Sequence, residues 1–486
     1  VNSRKTILLI LITFILKAGL AFYFAHLMTC QTPQNKLGYL ASGTGDTPSY
    51  IEPIDNFIER GSYYSYNGKN NVYAGRTPHY GTPYFIFRLA FSKSTASDLY
   101  ALLQILLDST ATVFFALLCF NVLSGRFAFW IGYTLFFLNF NMLAQSTILF
   151  PESISLSFFV FFLYSFHRYW ANPNLLPLLI ASIFLAIVVT LKAYLIILFV
   201  PFALAVFFRE KNFSPAHLFR QIALLSLPLL LLLLPWIVRN AIVLHRFIPT
   251  QDGITAGYNY TESDFALRRF VGAWGGDFIF WNPNSSGCYF QFKPPSGCNF
   301  VFPEYALAEG YTMQDVQDVR QDYMRLQENY SPELDKTVSA KFDRLTNIYK
   351  SQKPFTYHIY SRVIMIKNFL WHTNNFNLPI NPGFKCYRTY QLSFKIISFL
   401  IYIFTVIVGT IGLVKLSFER KISLLFISIP ILILCFFAGL KVVEYRYFNH
   451  AFPVLALGFS SVLCMIANAF LSNRRFAPET DDRNSI

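Results

Sequence analysis

Residues 221–238 run from Gln221 to Val238 without one charged side chain. A helix rises about 1.5 Å per residue, so some 20 apolar residues cross a hydrocarbon layer about 30 Å thick. A stretch of this kind has few places to go except a bilayer. Ten such stretches are expected, near 6–28, 99–121, 127–145, 152–170, 174–191, 193–208, 219–242, 394–415, 422–439 and 447–471. The fifth and sixth are short, which fits broken or tilted helices. The first has no small-residue cleavage site and is expected to stay on the chain.

Composition agrees. Charged residues make up 14% of the chain, against about a quarter in soluble proteins. The net charge of +14 would suit nucleic acid, but the basic residues cluster at the ends of the apolar stretches. That placement fits the positive-inside rule and anionic headgroups, so a nucleic-acid partner is rejected. Arg4, Lys5, Arg126, His167, Arg168, Arg209, Lys211, Arg220, Lys415, Arg420, Lys421, Arg474 and Arg475 fall on one side in register with the spans. Both termini are therefore expected in the cytoplasm, with segments 29–98 and 245–393 outside. The Lys/Phe/Asn-rich composition favours a bacterial inner membrane, with the outer segments facing the periplasm.

This gives a domain plan. Residues 1–244 form an N-terminal transmembrane catalytic module with the outer loop 29–98. Residues 245–393 form an extracytoplasmic cap, residues 394–475 the C-terminal spans, and residues 476–486 a cytoplasmic tail. In the first outer loop Ile51, Ile54 and Ile58 share one helical face, opposite Glu52, Asp55 and Glu59, so this helix is expected to lie flat on the membrane. Gly61 should end it, and Pro83 opens a second short helix. In the cap, helices are expected across 313–349, broken at Pro332, and across 357–371. Cys288 and Cys298 flank Pro294, Pro295 and Gly297 and are candidates for a disulfide in an oxidising compartment, as are Cys30 and Cys386. Cys119, Cys435 and Cys464 read as apolar fillers.

The residues that could carry chemistry are polar groups at the outer mouth of the bundle. Asp46 lies in Gly43-Thr44-Gly45-Asp46-Thr47-Pro48-Ser49-Tyr50. It can be a general base or a metal ligand, or simply a helix cap. Arg76 and His79 lie on the stiff Gly75–Pro83 stretch, where a guanidinium suits either phosphate or a lipid headgroup. Lys192 joins spans five and six almost without a loop, so its ammonium needs an anionic partner or must snorkel. Lys17, inside span one, poses the same problem. Glu152 opens span four, where it can orient a substrate or favour the helix dipole. Glu444 and Arg446 precede the last span and can bind phosphate or pair with each other. Arg239 reads as an anchor at the outer interface. There is no Walker loop, dinucleotide-binding glycine pattern or zinc-type spacing, so no nucleotide cofactor is expected. No inverted repeat of the transporter kind is found.

The order of these pieces resembles the GT-C superfamily of glycosyltransferases, in the branch of protein O-mannosyltransferases and the lipid A aminoarabinose transferase. The carriers are Gly45-Asp46-Thr47 with Tyr50, Gly75-Arg76-Thr77-Pro78 with Pro83, Pro151-Glu152, Pro235-Trp236 with Arg239-Asn240, and Glu444-Tyr445-Arg446-Tyr447. They cover roughly 1–250 and 394–471.

The resemblance implies an all-α polytopic membrane fold, a GT-C-like bundle of about ten transmembrane helices with interfacial helices in the first outer loop. It implies a glycosyltransferase that takes a sugar from a polyprenyl-phosphate donor. The acceptor would be a lipid, glycan or protein at the extracytoplasmic face, with membrane lipids around both. Asp46 would be the catalytic base. Arg76, His79, Lys192 and Arg446 would hold the donor phosphate, and Tyr50, Glu152 and Glu444 would orient substrate. A divalent metal has no clear ligand set. The family often pairs a second acid with the aspartate, and Glu52, Asp55 and Glu152 compete for that place. Two other readings stay open: a lipid-linked glycan transporter or flippase, and a polysaccharide polymerase or ligase.

Overall fold

A computed structural model describes residues 3–31, 35–66, 71–209, 214–251, 261–278, 284–291, 298–371, 389–441 and 445–475. It is helical almost throughout. The one sheet among the described residues is a two-stranded antiparallel ribbon, β1 (Ser65–Tyr66) and β2 (Asn71–Val72), with Ser65 opposite Val72.

The first helix, α1 (Ser3–Gln31), is followed by the outer-loop helices α2 (Thr47–Arg60) and α3 (Gly81–Arg88). The long α4 (Lys93–Leu123) returns through the bundle. Next come α5 (Arg126–Phe137), α6 (Phe140–Gln145), α7 (Glu152–Ala171), α8 (Leu175–Leu191), α9 (Phe199–Arg209) and α10 (Pro215–Leu244). The second outer segment holds α11 (Glu262–Ala273), the single turn α12 (Ser286–Tyr289), α13 (Met313–Glu328), α14 (Pro332–Gln352) and α15 (Ser361–Trp371). The chain closes with α16 (Thr389–Phe418), α17 (Leu424–Leu440) and α18 (Phe452–Arg475).

Five helices among the described residues are long and apolar enough to cross a membrane, and three shorter apolar helices accompany them. By these helices the chain is an integral membrane protein. The expected span 127–145 is corrected: α5 stops at Phe137 and α6 restarts at Phe140. Asn139 accepts from the Met142 amide at 3.3 Å, and that cap opens a new helix where an apolar count sees one continuous stretch. The sixth stretch opens as a tight 3₁₀ helix, Ala193–Leu198, directly after Lys192.

Packing explains several polar residues. Lys17 is fully buried and donates to Asp108 Oδ2 and Thr112 Oγ1, each at 2.8 Å, which ties α1 to α4. Helices α16 and α18 meet backbone to backbone. A Cβ on Gly412 would collide with the Gly458 carbonyl, and one on Gly458 with the Gly409 carbonyl. Small residues allow that approach where lipid offers no hydrophobic drive to association.

The cap has its own core, in which Phe270, Phe290, Tyr323 and Phe342 are buried between α11, α13 and α14. Capping boxes at Thr261/Asp264 and Thr312/Asp315 start two of its helices. Pro332 separates α13 from α14, as expected.

The flat-lying reading of α2 is corrected. Gly61, at φ 69°, ends the helix as expected. Asp55, however, is buried and takes Arg88 Nε at 3.0 Å and Lys93 Nζ at 2.6 Å. Asp55 therefore meets α3 and α4 and not water, while Glu59 on the same face stays exposed. Gly81 allows this docking, since a Cβ there would press on Ile54 at 2.7 Å.

The candidate disulfide is also corrected. Cys288 and Cys298 are free thiols, close enough that Cys298 acts on its partner; burial, then that neighbour, push the Cys288 thiol up to about 11. Cys386 and the side chain of Cys30 lie outside the described residues. Cys119 is a buried filler, whereas Cys435 is exposed on α17.

Candidate active site at the outer mouth of the bundle

Two attachments place Asp46. The Asp98 carboxylate, near the start of α4, accepts the backbone amides of Tyr39, Leu40 and Ala41 at 2.8–2.9 Å. Gly38 must be glycine, because a Cβ would overlap that carboxylate. Ser42 then pairs with the segment before α7: its amide donates to Thr147 O and its carbonyl accepts from Leu149 N, both at 2.9 Å. The loop carrying Asp46 and the strand-like lead into Glu152 are thus stitched together.

Asp46 occupies the cap position of α2, yet its side chain makes no cap bond. Its carboxylate turns the other way, and Oδ2 accepts from Arg446 Nη2 at 2.6 Å. The cap reading therefore covers its backbone only: the Ser49 amide and hydroxyl both donate to the Asp46 carbonyl, at 3.1 and 2.7 Å.

Arg446 also reaches a second carboxylate. Its Nη1 lies 3.3 Å from Glu152 Oε1, and Lys192 Nζ donates to the same oxygen at 2.6 Å. Lys192 is 7% exposed and Glu152 3%, so the lysine does not snorkel; it forms a buried pair. The other oxygen, Glu152 Oε2, is buried with no hydrogen-bond donor. Glu152 also begins α7, so its dipole role and its pairing role coincide. Glu444 lies outside the described residues.

Arg76 flanks this chain of charges. Its guanidinium stacks 4.7 Å from the Tyr50 ring centre and donates to Gln251 Oε1 at 3.2 Å. Asp46, Tyr447 and Arg446 all act on its charge. Burial alone would raise the Asp46 carboxyl. Arg446, by charge and hydrogen bond, then Arg76 and Lys192, outweigh it and hold Asp46 below its ordinary value of 3.8. Asp46 is therefore a carboxylate at neutral pH. Burial pushes the Tyr50 hydroxyl above its usual range, so it stays a neutral donor.

His79 stands apart. Its Nε2 donates to the Leu232 carbonyl of α10 at 3.0 Å. Burial holds the imidazole below its usual range, against that carbonyl's pull. In this structure the ring is committed to a backbone oxygen and is not among the groups acting on Asp46.

Arg239 is committed to contacts within the protein. It donates to the carbonyls of Tyr73 at 2.7 Å and Tyr63 at 3.0 Å and stacks on Trp236, fastening the outer loop to α10. Between them lies a cleft of about 480 Å³, walled by Phe57, Tyr63, Phe85, Trp236 and Val243.

Sequence reasoning missed two supports. His450 is buried between Ser155 Oγ, at 2.8 Å, and the Tyr194 hydroxyl, at 2.9 Å; Tyr194 also donates to Tyr447 O at 3.1 Å. These bonds fix the segment that carries Arg446 against α7 and the Lys192 corner. The signal was a histidine just inside an apolar span, a costly place without partners. The other is Asp98, whose role nothing local betrays. Among the described residues no group of three metal-type ligands forms.

No family model matches the chain, and no curated protein does. Among solved structures the chain is similar to the crystal structure of ArnT from Cupriavidus metallidurans bound to undecaprenyl phosphate. The identity is 12% and the TM-score 0.37, over 96% of this chain and 81% of that one. At that level of likeness the neighbour assigns no role to any residue described above.

Proposed function

We propose that this chain is a glycosyltransferase that moves a sugar from a polyprenyl-phosphate donor to an acceptor at the outer membrane face. The observation that carries the reading is the relay Asp46–Arg446–Glu152–Lys192, a carboxylate held beside cations at one mouth of an apolar bundle. The motif order resembling GT-C enzymes supports it from the sequence side.

In this reading the donor phosphate enters beside Arg446, Lys192 and Arg76, and the isoprenoid chain follows the aromatic cleft at α10. Phosphate competes with Asp46 for Arg446. As the guanidinium turns to the phosphate, Asp46 loses the partner that depresses it most and becomes a better base. Asp46 takes the proton of the acceptor hydroxyl or amine. The freed oxygen or nitrogen bonds to the anomeric carbon while the carbon–oxygen bond to phosphate breaks, and the electron pair leaves on the phosphate oxygen. Charge grows on that oxygen in the transition state, where preplaced cations lower the barrier. Glu152 keeps Lys192 and Arg446 aimed without neutralising both. The Tyr50 ring holds Arg76 level.

The test is transfer of radiolabelled sugar from polyprenyl-phosphate donors by protein in lipid, wild type against Asp46→Asn. Loss of about 10² to 10⁴ in rate with donor binding kept supports the base role. Normal turnover in the variant removes it. Donor binding without transfer by the wild type would favour a transporter. The metal requirement, the sugar and the acceptor are read out in the same assay.

A further inference from the structure

A second group of cations lies where the cap meets the bundle. The Lys441 ammonium sits over the Tyr357 ring, 3.3 Å from its centre, and Lys350 approaches the same ring at 5.6 Å. Arg362, the second residue of α15, donates to the Tyr357 carbonyl at 3.2 Å and to His358 O at 2.5 Å, so its position is fixed by backbone. Lys441 is held in a left-handed turn, φ 53°, at the end of α17, and its Cβ packs against Gly272 of α11. Two ammonium groups thus lie over one aromatic ring, and a guanidinium is fixed on the backbone of the same residue.

Among the described residues the arrangement has no counter-charge. Lys441 Nζ is buried and donates to no oxygen, although an ammonium has three N–H donors. None of the three cations pairs with a described carboxylate, and the groups that act on Lys441 are burial, Arg362 and Lys350; together they push it down to about 7. Like charges gathered without an acid cost free energy unless something anionic is bound. The site is open on one side: Lys350 is exposed, while Tyr357, Arg362 and Lys441 are half-buried. No member of the Asp46 relay counts among the groups acting on Lys441.

We propose that Lys350, Arg362 and Lys441 form a second binding site, for a phosphate-type oxyanion, between the cap and the α17–α18 connection. Tyr357 is its floor. Lys441 and Arg362 supply the buried contacts, and Lys350 closes the open side. The site stands without the glycosyltransferase reading. The oxyanion can come from a soluble or glycan-borne phosphate or from an anionic lipid headgroup. Arg446 follows Lys441 on the same connection, so an anion held here is close in sequence to the relay.

The experiment uses the full chain in phosphatidylcholine nanodiscs, with Arg446→Gln throughout so that the Asp46 relay does not compete for the probe. Inorganic pyrophosphate is titrated by calorimetry. Lys350→Gln and Lys441→Gln should each weaken binding about tenfold or more, as expected for a charge-assisted contact, and Lys441→Arg should keep most of it. Lys350 is exposed, so its variant reports even where Lys441→Gln folds poorly. A second arm compares melting in nanodiscs with and without phosphatidylglycerol. No pyrophosphate binding, with a phosphatidylglycerol stabilisation that both lysine variants lose, assigns the site to a lipid headgroup. Pyrophosphate binding and lipid stabilisation that both ignore these lysines overturn the proposal.

Discussion

Asp46 and Arg446 are separated by 400 positions in the chain, and their side chains meet at 2.6 Å. The ion pair joins the first outer loop to the connection before α18. It also sets the protonation state of the carboxylate, since Arg446 is the strongest of the charges that oppose burial.

That relationship predicts a shift in pH dependence. Arg446 lowers the Asp46 pKa in the free protein, so the acid limb of kcat/KM in the wild type lies at low pH. In Arg446→Gln the burial term loses its main opponent, and the limb should move upward. Because the folded value is depressed, the pair stabilises the protein above the ordinary carboxylate pKa. That stability is lost as pH falls through the folded value. Rate profiles of the residual transfer in both proteins check this; superimposable acid limbs would disprove it.

Asp98 should matter without touching substrate. Its carboxylate takes three backbone amides, and hydrogen bonds to charged acceptors contribute about 1.5–3 kcal/mol each when partly buried. Asp98→Ala should release residues 39–41, cut transfer at least tenfold and lower the melting temperature. Asp98→Asn should recover part of both. Protease cleavage within residues 35–46 is the direct readout, and an unchanged cleavage pattern in Asp98→Ala would count against it.

Lys17 and Asp108 test what a buried membrane pair contributes. Removing one partner strands a charge and should cost about 3–5 kcal/mol, whereas replacing both with apolar residues is often neutral. Lys17→Met should therefore be far less stable than the double variant Lys17→Met/Asp108→Leu. Unfolding of the four proteins in a double-mutant cycle measures the coupling.

Gly412→Leu should separate α16 from α18. The expected outcome is loss of folded protein in detergent, with Gly412→Ala intermediate. Yield and melting on size exclusion check it, and a leucine variant as stable as wild type would mean the helices do not cross there.

Much of this was legible in the sequence because charge is scarce in an apolar chain. Lys17, Lys192 and Glu152 announced themselves by the cost of being where they are, and each has a buried partner. The partners were not legible. Lys17 finds Asp108 and Arg446 finds Asp46, both through the packing of distant helices, and spacing along the chain carries no trace of that. Local rules gave the ends of α2, at Gly61, and the break at Pro332. They failed at Leu138–Asn139, where an apolar neighbourhood hides a cap. They failed again at Asp55, which is buried because α3 and α4 bring Arg88 and Lys93 against it. The Leu232 carbonyl that holds His79 lies 153 positions away and was equally hidden.

The relay draws its members from residues 46, 152, 192 and 446. During synthesis the carboxylates and Lys192 are made first, and their two-cation arrangement stays incomplete until the ribosome has passed Arg446. Until then Asp46 lacks its ion-pair partner and feels only Arg76 and Lys192, and Glu152 has one cation instead of two. A chain stalled before α18 would insert most of its apolar helices and still have no organised mouth. In the glycosyltransferase reading, competence would therefore arrive as a single late event in biogenesis.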